Sequence, residues 1–496
     1  MPATRVRVVR DQPVDPAGKW VLYWMRATRR SDNNYALDRA IGWAKALARP
    51  LVVLEALRCD YRWAADRHHA FVIEGMRDNR AAFEKAGIHY LPYVEPSLGH
   101  GHGLLAALGR HAAVVITDDY PSFHFPAMLA AAARQLEARL EAIDSIGLLP
   151  MRATERSFGT AQAFRRFLQG ELPRHLSHMP RADPLRRLEL PGLARLPAEI
   201  TRRWPATAIE QELGPLLAAL PIDHEPTVTD TPGGARAGAQ RVRELVERRL
   251  GGYGEGRNHP DDDGASGLSP YLHFGQVSTH AILRAIGAHH GWTPASLSER
   301  VTGAREGWWN LPAGAESFLD ELVTWREVGH NHASTRDDLE RYDSLPSWAR
   351  ATLAAHADDP REWIYDHARL ESADTHDEVW NAAQRQLLRT GTMHNYLRML
   401  WGKKVLEWSE RPELAAETLI ELNNRWALDG RDPNSYSGIY WVFGRYDRPW
   451  GPERPIYGQI RYMTSASTVR KLRMREYLAR WSADADTANN ERGGRR

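Results

Sequence analysis

Residues 20–57 read WVLYWMRATRRSDNNYALDRAIGWAKALARPLVVLEAL and decide the fold of the first part of the chain. The apolar run Trp20–Met25 predicts a buried strand, Asn34–Ala48 carries apolar residues at helical spacing, and Pro50–Leu57 predicts a second buried strand. A strand, a helix and a second strand in this order favour two parallel strands joined by a crossover helix.

The same alternation continues towards residue 150. It predicts helices Ala64–Ala86, Leu104–His111 and Ala127–Ile143, and strands His89–Val94, Ala113–Thr117 and Ser145–Leu149. We therefore expect an α/β domain over residues 1–178, built on a five-stranded parallel, doubly wound sheet. Such sheets bind ligands at the carboxyl ends of their strands, where Arg26–Asp32 and Asp118–Tyr120 lie. Neither a dinucleotide-binding glycine fingerprint nor a P-loop is present.

The pattern changes twice further along. Residues 179–234 are interrupted by frequent prolines and are predicted to form an interdomain linker. Residues 235–481 carry long helical patterns without a series of strands, which predicts an all-α domain. Residues 482–496 are small and polar and are predicted to form a flexible tail.

Composition narrows the class of protein. Of the 496 residues, 43% are hydrophobic and 26% are charged, which is typical of a globular chain. The single cysteine, Cys59, excludes a disulfide framework and a cysteine-rich metal site, and no metal is predicted. There is no signal-peptide core and no apolar run of the ~20 residues that a membrane helix needs, so we expect a cytoplasmic protein. The net charge of +2 does not by itself indicate a polyanionic partner, whereas 18 Trp against 10 Phe suggests either electron transfer and stacking or simply large cores.

Two clusters carry residues suited to binding an anion or a flat ligand. Ser266, Gly267, Leu268 and Ser269 form either a phosphate-binding turn or an ordinary capped turn, and Arg257 either binds phosphate or pairs with Asp261–Asp263. Glu321 and Trp325 are four residues apart and therefore share a face of a predicted helix. Glu321 either contacts a ligand or pairs with Arg326 or a neighbouring helix.

Three further clusters lie in the predicted helical domain. Asn395, Arg398 and Met399 form one helical stripe, and Trp401 and Trp408 share a face that either passes electrons or packs in the core. The turn around Asp429, Asp432 and Asn434 either receives Arg398 or is solvated. A basic run near the end of the chain is either a surface that binds the nucleic-acid backbone or a solvated helix. Tyr457 and Tyr462 are interleaved with it, and Trp450 precedes it. The run comprises Arg454, Arg461, Arg470, Lys471, Arg473 and Arg475.

Taken together, these segments resemble the photolyase/cryptochrome family, and most closely the class II cyclobutane pyrimidine dimer photolyases. The resemblance covers nearly the whole chain. The segments that carry it are RNHPDDDGASGLSPYLHFG (257–275), WNAAQRQL (380–387) with TGTMHNYLRM (390–399), ELNNRWALDGRDPNSYSGIYW (421–441) and RPIYGQIRYM (454–463).

The resemblance implies a set of site residues. The helical domain would bind FAD, active in its reduced form, and the α/β domain could hold an antenna chromophore of the deazaflavin or folate type. Arg398 would pair with Asp429 beside the flavin, and either Asn423 or Asn434 would face flavin N5. The cofactor-binding candidates are Tyr253, Arg257, Ser266, Gly267, Leu268, Ser269, Asn395, Arg398, Asn423, Asp429, Asp432 and Asn434.

The implied reaction is light-driven repair of cyclobutane pyrimidine dimers in UV-damaged DNA by a monomeric enzyme. Glu321 would contact the lesion and stabilise its transient anion, which requires a raised pKa. Trp401, Trp380 and Trp408 would transfer electrons, from proximal to distal. The lesion- and DNA-binding candidates are Trp325, Arg326, Met399, Trp441, Arg454 and Arg461.

The resemblance leaves two other functions open. A cryptochrome-type photoreceptor would use the same FAD and the same tryptophans. A (6-4) photoproduct photolyase would place histidines over the lesion, for which His330, His332 and His394 are the candidates.

Overall fold

Six strands form one sheet in the computed structural model, which describes residues 1–262 and 264–483. Their spatial order is β1-β6-β5-β2-β3-β4; the last five run parallel, and β1 is antiparallel to β6. The strands are β1 Val6–Arg10, β2 Trp20–Met25, β3 Leu51–Leu57, β4 His89–Val94, β5 Ala112–Asp118 and β6 Leu140–Ile143. The predicted α/β class is confirmed, with one more strand than expected. Strand β1 escaped prediction because its five residues, VRVVR, are half-polar and lie at the sheet edge.

The helices follow in chain order. The α-helices are α1 Tyr35–Leu47, α2 Asp66–Lys85, α3 Leu104–Gly109, α4 Phe125–Gln135, α5 Ala161–Leu176, α6 Ala198–Arg203, α7 Leu213–Ala218, α8 Ala235–Glu244, α9 Tyr253–Gly256, α10 Ser269–His273, α11 Thr279–His290, α12 Ala313–Leu319, α13 Arg326–Thr335, α14 Ser347–Ala355, α15 His367–Glu371, α16 Glu378–Thr390, α17 Asn395–Trp408, α18 Pro412–Trp426, α19 Pro433–Trp441, α20 Ser465–Lys471 and α21 Arg475–Arg480. Within residues 1–262 and 264–483, two π-helical turns occur, at Leu245–Arg249 and Asp320–Trp325.

The fifth predicted strand was misplaced. A continuous helix was expected over Ala127–Ile143 and a strand over Ser145–Leu149, but α4 ends at Gln135 and the strand is Leu140–Ile143. The reason is Glu141, which is fully buried within β6 although a charged residue is not expected in a central strand. Its carboxylate accepts hydrogen bonds from Arg39 (2.7 and 3.0 Å), Trp43 (3.1 Å) and Arg139 (2.9 Å), which offset the cost of burial.

Removing this carboxylate should destabilise the sheet. Glu141→Ala is expected to lower the free energy of unfolding by about 2–3 kcal/mol, less than for a fully buried pair because Arg39 and Arg139 can turn towards water. Burial alone would raise the pKa of Glu141, but its hydrogen bonds lower it below the usual 4.5. The stabilisation is therefore present above pH 4.5 and is lost as the pH falls through the native-state pKa. Urea unfolding at pH 7 and pH 3 tests this, with exposed Glu137→Ala as the control. Equal losses at both pH values would contradict it.

Helices cover both faces of the sheet. Trp20, Leu22 and Trp24 point to one face, in a core shared with α3, α4 and α6. Val21, Tyr23 and Met25 point to the other, in a core shared with α1 and with Phe83 of α2. Both faces are apolar because parallel strands are buried on each side, and this confirms the doubly wound arrangement.

Backbone contacts divide the described chain into two units. The first, which we call the sheet unit, comprises Met1–Arg156, Leu168–Val246 and Leu268–Val301. The second, the helical unit, comprises the described residues of Ser157–Phe167, Glu247–Gly267 and Thr302–Arg496. The predicted limits at 178, 234 and 481 stay predictions. Of the predicted tail, only Ser482 and Ala483 fall within the described residues.

Helices α14 to α19 enclose a large apolar core in the helical unit. Trp380, Trp401 and Trp408 lie in this core together with Leu397, Leu419 and their neighbours. None of the helices in the described part of the chain is both long and apolar enough to cross a membrane.

Candidate active site

Glu321 lies in a π-helical turn between α12 and α13. The sequence predicted a regular helix that aligns Glu321 with Trp325; the wider turn at Asp320–Trp325 corrects this, because a π-turn inserts a residue and shifts the side chains that follow. Such turns are frequent at functional sites. Both side chains are half-buried.

The partner of Glu321 is Arg257. Their carboxylate and guanidinium groups are 2.6 Å apart, with side-chain exposures of 32% for Glu321 and 23% for Arg257. Arg257 does not pair with Asp261 or Asp262, which contact the segment 473–477, and Asp263 lies outside the described residues. Arg257 caps the C-terminus of α9, so Glu321 pairs with a neighbouring helix, which was one of its predicted alternatives. Burial raises the pKa of Glu321, whereas Arg257 lowers it; the net direction is upward. A raised pKa is what a hydrogen-bond-donating carboxyl needs.

Arg257 belongs to a cluster of donors. The Tyr253 hydroxyl is hydrogen-bonded to Arg257 and to Ser266, and the Nε of Arg257 is buried without a partner among the described residues. Gly267 has a φ of +65°, a conformation that glycine adopts at low cost. Leu268 and Ser269 belong to the sheet unit, where Ser269 is the first residue of α10 and is exposed.

A second cluster joins α17 to the turn after α18. Arg398 donates two hydrogen bonds to Asp429, at 3.2 and 3.0 Å, as the sequence suggested. Met399 is half-buried beside Arg398, and Asn395, at the start of α17, is exposed. The pair is a fixed, partly buried dipole of the kind that can orient a charged ring system.

The two candidate asparagines differ in burial. Asn423 is buried and donates from Nδ2 to the Ser435 hydroxyl (2.7 Å) and to Asn424 Oδ1 (3.2 Å). Its own Oδ1 accepts no hydrogen bond from the described residues. Asn434 is exposed, and its backbone N–H donates to Asp432, which caps α19. Burial and a spare acceptor favour Asn423 as the ligand-facing residue.

Three tryptophans form a continuous row. The rings of Trp401 and Trp380 are parallel within 8°, with centroids 6.4 Å apart, and Trp380 is 5.6 Å from Trp408. All three are at most 2% exposed. The sequence placed Trp401 and Trp408 on one face of a helix, and the resemblance implied the order Trp401, Trp380, Trp408. In the structure, Trp380 of α16 contacts both other members.

Several residues of this row were missed. Gln384 accepts a hydrogen bond from the Trp401 indole (2.9 Å) and fixes its ring. It lies four residues after Trp380 on α16, a spacing that could have indicated it. Tyr365 and His376 lie 5.4 and 5.3 Å from Trp408, which no sequence spacing indicates.

The remaining predicted residues of the helical unit differ in exposure. Trp441 is half-buried, Arg454 stacks on Tyr462 at 4.9 Å, and Arg461 stacks on Trp450 at 5.0 Å. Arg326 is buried, at 5% exposure, so its guanidinium lies inside the unit. Arg473, within the basic run, is already paired with Asp262.

The histidines considered for another lesion are held within the protein. His330 Nδ1 is 3.0 Å from the carbonyl oxygen of Arg326, and His332 Nε2 is 3.2 Å from Asp338. Burial lowers the pKa of His332 to about 4. His394 is buried and lies just before α17.

The strand-end residues of the sheet unit have structural roles. The Asp118 carboxylate accepts hydrogen bonds from Tyr23 (2.7 Å) and from three successive backbone N–H groups, at residues 26–28. Arg30 donates to the carbonyl oxygens of Gly275 and Ser145. These polar groups hold the loop Arg26–Asp32 against the strand ends.

We compared the sequence and the fold of this chain with those of known proteins. No family model matches the chain. A solved class III photolyase from Agrobacterium tumefaciens has the same fold, with a TM-score of 0.67 at 17% identity, over 93% of this chain and 86% of that one. The sheet unit and the helical unit of this chain therefore have the photolyase fold.

Two sequence relatives make the assignment more specific. A deoxyribodipyrimidine photo-lyase of Methanothermobacter thermautotrophicus is 34% identical over 481 residues, covering 96% of this chain and 98% of the relative. One of Oryza sativa subsp. japonica is 32% identical over 497 residues, covering 96% and 90%. The chain belongs to the deoxyribodipyrimidine photolyase family, as its sequence motifs predicted.

Proposed function

We propose that this protein is a light-driven enzyme that repairs cyclobutane pyrimidine dimers in DNA. The observation that carries the proposal is the similarity to full-length relatives of that name, together with the location of Glu321, Arg398–Asp429 and the tryptophan row in one helical unit. The class II assignment rests on the sequence motifs alone.

The donor set of the helical unit suits FAD. Tyr253, Ser266 and the unpartnered Nε of Arg257 offer O–H and N–H groups to phosphate oxygens. Arg398–Asp429 offers a dipole to the flavin ring, and Asn423 Oδ1 can accept a hydrogen bond from a ring N–H. When bound, reduced FAD supplies an electron upon illumination and takes it back. An antenna chromophore stays a prediction without assigned residues.

The protein's own groups would bind and stabilise the lesion. A dimer is poorly stacked and paired, so extruding it from the duplex costs less than extruding a normal base, and base flipping is the established route by which photolyases reach their target. Trp325, Met399 and Trp441 offer apolar walls to the extruded rings. Glu321, protonated, would donate a hydrogen bond to a carbonyl oxygen where negative charge develops.

One experiment tests the function directly. Chemically reduced protein is incubated with an oligonucleotide that carries one thymine cyclobutane dimer, in blue light and in darkness. Thymines restored only in the light support the proposal. Flavin-loaded protein that binds but does not repair the dimer in light would point to a photoreceptor, and repair of a (6-4) photoproduct instead would change the lesion assigned.

The basic surface gives a second prediction. Arg454 is exposed, and we expect it to contact a DNA phosphate. Arg454→Gln should weaken binding of damaged and undamaged DNA alike and reduce the slope of log K against log salt by about one. Fluorescence anisotropy between low and high salt measures this.

Arg473→Gln is the matched control. Its guanidinium lies 3.0 Å from Asp262, so its charge is already compensated and the slope should change little. An unchanged slope in Arg454→Gln would exclude Arg454 from the DNA contacts.

A further inference from the structure

Helix α17 buries an ammonium group against an indole. Lys403 is fully buried, and its Nζ lies 5.0 Å from the ring centroid of Trp441. The same Nζ donates a 2.5 Å hydrogen bond to the carbonyl oxygen of Val442. No carboxylate of the described residues forms an ion pair with it. One carbonyl oxygen and one aromatic face therefore contact the Lys403 ammonium directly.

Backbone contacts of α17 position Lys403 next to Trp441 and Val442. A Cβ on Gly402 would lie 2.4 Å from a methyl group of Val442, so only glycine lets α17 approach the end of α19 this closely. The Tyr457 hydroxyl donates a hydrogen bond of 2.8 Å to the carbonyl oxygen of Lys403. Burying a cation without an ion-pair partner costs free energy, which indicates that Lys403 has a functional role.

We propose that Lys403 is a positioning residue for lesion recognition, whose ammonium fixes the Trp441 indole in the orientation that the lesion pocket requires. The proposal rests on the proposed function, in which Trp441 is a wall of that pocket. A cation near an aromatic face is attracted by the ring quadrupole, most strongly when it is desolvated. Arg461 also approaches this ring, at 5.8 Å, but Arg461 is exposed and lies closer to Trp450, at 5.0 Å. Of the two cations near this ring, Lys403 is the buried one.

The charge of Lys403 depends on pH near neutrality. Burial lowers its pKa to about 7; Asp447 acts to raise it and Arg461 to lower it. On its own helix, Lys404 and Glu407 pair with each other at 2.7 Å. From the opposite side, the pKa of Tyr457 is well above 10, so that hydroxyl stays neutral. Raising the pH through about 7 therefore turns the ammonium into an amine and removes its attraction for the ring.

The direction in which lesion binding changes with pH distinguishes a positioning role of Lys403 from a purely structural one. The native pKa of about 7 lies below the ordinary lysine value of 10.5, so the unfolded state binds more protons between these values and stability rises with pH. A structural role alone would thus leave lesion binding unchanged or improved at higher pH. Positioning of Trp441 requires that the preference for damaged DNA falls.

The test is the ratio of two dissociation constants, measured in darkness at fixed ionic strength from pH 6 to pH 9. The probes are an oligonucleotide with one thymine dimer and its undamaged counterpart. For the wild-type protein we expect the preference for the dimer to fall about fivefold across neutral pH, the range of a desolvated cation–π contact. Lys403→Met should show the lower preference at every pH, and exposed Lys45→Met, on α1, should keep the wild-type profile.

A double-mutant cycle shows whether Lys403 acts through Trp441. Lys403→Met added to Trp441→Leu should cause no further loss of dimer preference, whereas additive losses would overturn the proposal. A dimer preference that does not vary with pH in the wild-type protein, which needs no variant to fold, would overturn it as well. No preference at any pH would instead reject the proposed function, and this proposal with it.

Discussion

Trp401→Phe is expected to slow the photoreduction of oxidised FAD by more than tenfold (an order-of-magnitude expectation) while sparing repair by chemically reduced protein. Phenylalanine is far harder to oxidise than tryptophan, so the row would be interrupted at its predicted proximal member. The parallel rings of Trp401 and Trp380, at 6.4 Å, make this the step through which an electron from Trp408 would pass. Loss of oxidised-flavin absorbance under blue light, with a thiol reductant present, measures it.

The control residue must be a buried tryptophan that does not belong to the row of Trp401, Trp380 and Trp408. Trp426, in the same apolar core, meets this requirement, and Trp426→Phe should photoreduce normally. Trp380→Phe should resemble Trp401→Phe, because Trp380 contacts both other members. Normal photoreduction in Trp401→Phe with FAD retained would show that the electron takes another route, and loss of repair in pre-reduced protein would show that Trp401 serves the lesion as well.

The fold was predictable where patterns are local. Trp20–Met25 matches its predicted limits because it is a continuous, fully buried apolar run, and His89–Val94 also matches its predicted limits. Strand β6 was misplaced because Glu141 breaks that rule, and its three partners, Arg39, Trp43 and Arg139, could not be assigned to it from sequence. A buried charge that is fully hydrogen-bonded looks like a solvent-facing residue until its partners are known.

The site was predictable where residue types complement one another. Arg398 and Asp429 are 31 residues apart, yet an acidic turn and a cation on a helical stripe suggested their pairing. The sequence offered a neighbouring helix as a partner for Glu321 but did not identify Arg257, for which it proposed a phosphate or Asp261–Asp263. The π-turn at Asp320–Trp325 also has no sequence signature, since it depends on how α12 and α13 pack. Asn423 and Asn434 differ in burial, which motifs do not encode, and which of them faces the flavin stays a prediction.

Glu321→Ala should reduce the quantum yield of repair about tenfold, at the low end of the effect of removing a hydrogen-bond donor from a developing oxyanion because Glu321 is not fully buried. FAD and dimer binding should be largely kept. The variant also leaves Arg257 without its carboxylate, so the alanine effect alone does not separate the lost donor from a displaced guanidinium.

Glu321→Gln makes that separation. Glutamine keeps an N–H donor and a similar shape but carries no charge, so Arg257 loses its ion pair in this variant too. If donation to the lesion is what matters, glutamine should retain most of the repair that alanine loses; if positioning of Arg257 matters, both variants should be equally impaired.

The pH dependence of repair tests the role of Glu321 independently of the substitutions. Burial raises the pKa of Glu321 against the opposing effect of Arg257, so the protonated acid persists above the ordinary carboxyl range. Repair should therefore fall as the pH rises through that raised pKa, because the acid then loses the proton that it donates. In Glu321→Gln the amide does not titrate, and this fall should disappear. A wild-type profile that rises with pH over the same interval would mean that the carboxylate, held by Arg257, is the active form, and that Glu321 orients Arg257 instead of donating to the lesion.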